Sequence, residues 1–103
     1  MEIFRSDLVC STAGHDKGML FYVLDTDGVY VSLVNGKERK VEKPKRKKIM
    51  HVKKVPRPDS PLTERIRAGE QILNSELRRE LAMIGREITV STKEVNETWQ
   101  KTT

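Results

Sequence analysis

The chain has 103 residues, 20 Lys/Arg against 15 Asp/Glu for a net charge of +5, one cysteine and few aromatics. That length holds one domain with a core of about 50 to 60 residues. Phe4, Phe21, Tyr22, Tyr30 and Trp99 are too few to wall a deep small-molecule pocket or to stack a single strand base after base. Cys10 has no partner for an internal disulfide, which suits a reducing compartment. The first ten residues (MEIFRSDLVC) have no sustained apolar core, and the longest apolar run, residues 19–24, is too short to cross a bilayer. The expectation is a cytoplasmic protein with no membrane partner.

Residues 7–11 read as a first strand. The loop over residues 12–18 (TAGHDKG) carries Gly14 and Gly18, which supply the positive φ that tight turns need. Residues 19–25 form a strongly apolar second strand, and Asp27-Gly28 signals a hairpin. Residues 29–34 (VYVSLV) are β-branched and aromatic, a third strand. Asn35-Gly36 is a second hairpin signal. A short fourth strand is expected over residues 39–42, ended by Pro44, and a fifth over residues 49–52. Five short strands at this spacing describe a small barrel or sandwich.

The character then changes. Residues 56–61 are a proline-rich linker. Ser60 caps a helix with Pro61 at its first position, carrying Leu62 and Ile66 and ending at Gly69 or in the Asn74 region. A second helix starts at Asn74 or Ser75 and repeats Leu77, Leu81 and Ile84 at helical spacing. Together they make a helical appendage over residues 62–85. Residues 86–103 are rich in Ser, Thr, Lys, Glu and Asn and read as a flexible tail.

Charge is concentrated rather than spread. Residues 37–57 hold eleven of the basic side chains and only two acids, Glu38 and Glu42, leaving nine basic and thirteen acidic residues elsewhere. A patch of that density repels itself unless solvent, counterions or a polyanion stabilise it. Lys45, Arg46, Lys47 and Lys48 read as a compact cationic loop for phosphate contacts, flanked by Arg39, Lys40, Lys43, Lys53 and Lys54. Lys17, at the tip of the glycine loop, converges with them if a barrel closes. The glycines let backbone N–H groups approach a phosphate. No run of stacking aromatics or Asn/Gln accompanies the belt, so the backbone and shape of structured RNA are the expected target.

The segment from Leu8-Val9-Cys10-Ser11 through Ala13-Gly14-His15-Asp16-Lys17-Gly18 to Phe21-Tyr22-Val23-Leu24 resembles a KOW motif. Gly36-Lys37-Glu38-Arg39 and Lys43-Pro44-Lys45-Arg46-Lys47-Lys48 extend the likeness, since a Gly-x-x-Arg and a Pro-Lys-Lys-rich segment follow the strands in that family. The resemblance covers about residues 6–54. It is to bacterial KOW-domain RNA-binding proteins, akin to barrel-type large-subunit ribosomal proteins of archaea and eukaryotes. It implies a mainly β fold: a small SH3-like barrel over residues 3–55 with a C-terminal helical appendage. It also implies ribosomal RNA as partner and no enzymatic activity. The charge pattern and the resemblance together give the expected RNA-binding set: Gly14, His15, Lys17, Gly18, Arg39, Lys40, Lys43, Lys45, Arg46, Lys47, Lys48, His51, Lys53 and Lys54.

Other chemistries find little footing. Cys10, His15 and His51 lack zinc spacing, and Gly14 to Gly18 lacks the Gly-Lys-Ser/Thr of a phosphate loop. Cys10 reads as a small packed thiol, and Asp25 and Asp27 as turn residues. No metal, cofactor or catalytic residue is expected. The alternative is a protein-interaction module that docks on a transcription or ribosome-associated factor, through a barrel edge or the Leu77/Leu81/Ile84 helix.

Overall fold

The computed structural model describes the backbone of residues 2–102 and the side chains of residues 2–88. In chain order the elements are β1 (Leu8–Ser11), β2 (Leu20–Thr26), β3 (Tyr30–Val34), β4 (Lys45–Lys48), a 3₁₀ turn (Ile49–His51), β5 (Val52–Lys54), α1 (Pro61–Arg67) and α2 (Asn74–Thr102). The strands form one five-stranded antiparallel sheet in the order β4-β3-β2-β1-β5. The fold is mainly β, with two helices.

β2 sits at the centre and explains its own composition. Phe21 and Val23 face one core, while Leu20, Tyr22 and Leu24 face another. A strand buried on both sides loses polar alternation and reads as a continuous apolar run. The two ends of the sheet are joined by the 3₁₀ turn alone, which rises about 2 Å per residue. In a flat five-stranded sheet the outer strands would lie about 19 Å apart. The sheet is therefore strongly curled, although β4 and β5 share no ladder and it is not closed. Ile3, Val9, Phe21, Val23, Val31 and Leu33 fill the inside of the curl. On the outer face Leu8, Tyr22 and Val34 meet Leu62, Ile66, Ile72, Leu77, Leu81 and Ile84 from the helical segment.

α1 begins as the sequence indicates. Ser60 Oγ accepts from Thr63 N, Thr63 Oγ1 accepts from Ser60 N, and Pro61 follows. This reciprocal cap satisfies two otherwise orphaned donors. Gly69, at φ +76°, ends the helix. α2 docks on the sheet through the expected stripe, with Leu77 and Ile84 almost fully buried. The Tyr22 hydroxyl donates to Glu80, which also accepts from Ser60 Oγ at 3.0 Å. Burial, and then Glu80, push the Tyr22 hydroxyl pKa far up, so it stays a donor. α2 runs well beyond the expected end near residue 85, to Thr102. The expected flexible tail, residues 86–103, lies mostly outside the residues whose side chains are described.

Two strand expectations are corrected. Residues 39–42 form no strand. Asn35 Oδ1 accepts from Lys37 N and Arg39 N, and the Arg39 carbonyl accepts from Asn35 N and Gly36 N, folding the segment into a tight loop. Val41 N then donates to Asn74 Oδ1 at 2.8 Å, and Arg78 donates to the Gly36 carbonyl at 2.6 Å. The loop is thus clamped to the first turn of α2. Gly36 permits this approach, because a Cβ there would overlap the Asn74 carbonyl. The fourth strand is instead Lys45–Lys48, the run expected as a cationic loop, and residues 49–51 form the 3₁₀ turn that leads into β5. Pro44 precedes the strand, where its missing N–H costs no ladder bond.

Candidate nucleic-acid interface

Turning the basic run into an edge strand sorts its four cations by side. The register pairs Val31 with Lys47 and Leu33 with Lys45, so both lysines share the face of the inner core. Tyr30 pairs with Lys48 and Ser32 with Arg46, which places those two on the outer face. Side chains alternate along a strand, so one loop-like cluster cannot form.

Lys47 is not available to a phosphate. Its side chain is 10% exposed, and its ammonium lies 2.7 Å from Asp16 Oδ1 and donates to the Ala13 carbonyl at 2.7 Å. Ser11 Oγ donates to the same carboxylate oxygen at 2.8 Å. Burial pushes the Asp16 carboxyl pKa up, but the Lys47 and Ser11 hydrogen bonds outweigh it and hold the pKa below its usual value. This pair ties the glycine loop to β4. The loop therefore does converge on the basic strand, through Asp16 rather than through Lys17, which is exposed without an ion-pair partner among the described residues.

Arg46 is held differently. Its guanidinium carbon lies 3.8 Å from the centroid of the Tyr30 ring, and a terminal nitrogen is 3.5 Å from Asp27 Oδ2. Asp27 Oδ1 accepts from Val29 N and Tyr30 N at 2.9 and 2.7 Å. Those two backbone donors lower the Asp27 pKa first, with Arg46 adding to them. The Arg46 side chain remains 66% exposed.

The other expected positions fall into groups. Lys54 pairs with Asp7 at 3.4 Å, and Arg57 with Glu87 at 2.6 Å. With Arg46 and Lys47, four of the eleven belt cations are ion-paired. Seven are not, among the described residues: Lys37, Arg39, Lys40, Lys43, Lys45, Lys48 and Lys53. Six of these lie on β4 or the loop before it; Lys53 is on β5, at the opposite edge of the sheet. Gly14 and Gly18 have φ of +86° and +91°. The Gly18 N–H is taken by the Ser11 carbonyl at 2.8 Å, so it does not point at a ligand. His15 is exposed, and the His51 carbonyl accepts from Thr12 N at 2.9 Å, a second tie to the glycine loop.

Sequence reasoning missed three residues that shape this surface: Asp16, Asp27 and Tyr30. The acids could have been suspected, since an excess of carboxylates outside the belt must lie near some of its cations in so small a fold. Tyr30 needed the β3–β4 register, which a misplaced fourth strand hides. Neither family models nor curated proteins yield a match to this chain.

Proposed function

We propose that this protein binds structured RNA without catalysing a reaction, through β4 and the loop that precedes it. One observation carries this: six cations, Lys37, Arg39, Lys40, Lys43, Lys45 and Lys48, lie within twelve residues of one sheet edge with no ion pair among the described residues. A few lysines on an edge strand serve to deter sheet-to-sheet association. Six exceed that need, and their mutual repulsion is relieved when a polyanion binds and releases its counterions. The surrounding acids sharpen the patch by neutralising Lys47 and Arg46 and leaving a defined set of contacts.

The finer reading of the fold is an SH3-like barrel of the KOW type. The strand order, with β5 returning to pair with β1, the strong curl and the single 3₁₀ turn between the last two strands support it. A ribosomal setting rests on the resemblance of residues 6–54 to that family. The competing protein-docking role loses one of its two surfaces, because Leu77, Leu81 and Ile84 are buried by the domain itself.

Chemical-shift mapping tests the location. Adding a hairpin RNA to labelled protein should move the amide signals of residues 37–48 most. Perturbation confined to α1 and α2 would contradict this surface. For the setting, the protein should sediment with large particles in a sucrose gradient and leave them after nuclease treatment. Persistence after nuclease would favour protein docking.

A further inference from the structure

Arg46 differs from its neighbours in how firmly it is held. A phosphate contact needs only a cation within reach of the charge, with no ring beneath it. Here the Tyr30 ring lies beneath the guanidinium at 3.8 Å, and Asp27 holds one end at 3.5 Å. Asp27 is itself fixed by two backbone N–H groups, through its other oxygen. The carboxylate also offsets part of the Arg46 charge, which lowers its value to a phosphate. The arrangement fixes the guanidinium over the Tyr30 ring and leaves the side chain 66% exposed.

Its surroundings suit a planar group attached to an anion. Val29 and Met50 are 60% and 75% exposed. They lie on adjoining stretches of chain, since Ile49 N donates to the Val29 carbonyl at 2.9 Å. Lys48 stands directly across the ladder from Tyr30. Apolar surface beside a cation and a stacked guanidinium is poorly matched to an uninterrupted RNA duplex, whose bases are hidden. Arginine planes do stack on bases that leave the helix.

We infer that the Tyr30–Arg46–Asp27 unit is a stacking platform for one unpaired nucleobase, with Lys48 and the preceding loop on the flanking phosphates. This rests on the RNA-binding reading and narrows it, from RNA backbone in general to structured RNA that presents an unpaired base in a loop or bulge.

Arg46→Lys separates the two roles, because it keeps the charge and removes the plane. Binding is measured with a hairpin RNA carrying 2-aminopurine in its loop and with a blunt duplex of equal length. The wild type should prefer the hairpin and change the 2-aminopurine fluorescence from that of the free RNA. Arg46→Lys should weaken hairpin binding by roughly tenfold, in line with the loss of one stacked base, abolish the fluorescence change and leave the salt dependence unchanged. Asp27→Asn keeps an oxygen for the turn but loosens the guanidinium, and should give a smaller fluorescence change in a protein with a near-native melt. Equal affinity of the wild type for hairpin and duplex, or a full fluorescence change with Arg46→Lys, overturns the platform alone. Failure to bind either RNA overturns both readings, more so if the protein binds poly-glutamate instead.

Discussion

Replacing Lys47 and replacing its neighbour Lys48 should have opposite consequences. Lys47 and Asp16 are 10% and 15% exposed and 2.7 Å apart, whereas Lys48 is exposed and has no ion pair among the described residues. Lys47→Met leaves the Ser11 hydroxyl as the one side-chain donor, among the described residues, within reach of both the Asp16 carboxylate and the Ala13 carbonyl, and its single hydrogen cannot serve both. Breaking a fully buried pair costs about 3 to 5 kcal/mol; Asp16 sits on a loop that can admit water, so about 2 to 3 kcal/mol is reasonable here. For a domain of this size that is a fall in melting temperature of roughly 10 to 20 °C. Lys48→Met should stay within about 0.5 kcal/mol of wild type, as surface changes do. Urea and thermal unfolding, followed by circular dichroism, give both numbers. The double variant Lys47→Met/Asp16→Asn should recover part of the loss, because no charge is then stranded. The Asp16 pKa is depressed in the folded protein, so its contribution is present above the unfolded value near 4 and fades as pH falls through and below it. The stability gap between wild type and Asp16→Asn should accordingly shrink as pH drops below about 4. Equal stabilities for the Lys47 and Lys48 variants would refute the division of the basic run into a structural and an exposed half.

Two further substitutions test how the helical segment is attached. Gly36→Ala should destabilise far more than Gly18→Ala, although both glycines have positive φ, because only at Gly36 would a Cβ meet the Asn74 carbonyl; comparable urea midpoints would rule out the clamp between the loop and α2. Leu77→Ala should cost about 3 kcal/mol as a core truncation, and amides of residues 77–84 should exchange slowly in the free wild-type protein. Fast exchange there, or an unchanged melt, would mean that α2 does not dock on the sheet.

The parts of the fold that were legible are those where local chemistry and tertiary context agree. The apolar run of β2, the Asp27-Gly28 turn and the Ser60-Pro61 cap each state their own structure, and the Leu77/Leu81/Ile84 stripe marks the face that α2 buries. The fourth strand was misplaced because lysine-rich segments have low strand propensity. Lys45–Lys48 is nevertheless a strand, because β3 supplies a ladder and Lys47 closes its pair with Asp16 on the inner side. Residues 39–42 looked more like a strand, yet Asn35 and Asn74 offered their backbone better partners. The basic patch was visible as composition, but its division was not. Which cations are spent depends on Asp7, Asp16, Asp27 and Glu87, all far from the belt in sequence.

The salt dependence of RNA binding bears most directly on the proposed role. Wild type and a variant with Lys40, Lys43, Lys45 and Lys48 all changed to Gln are titrated with one hairpin RNA across a range of salt concentrations. The variant should fold and melt like wild type, since none of the four has an ion pair among the described residues. Each lost phosphate contact should remove slightly less than one unit from the slope of log affinity against log salt, so the slope should flatten by roughly three units. Affinity at low salt should fall steeply with it. A folded variant that keeps both the affinity and the slope of wild type would contradict RNA binding through β4 and its loop.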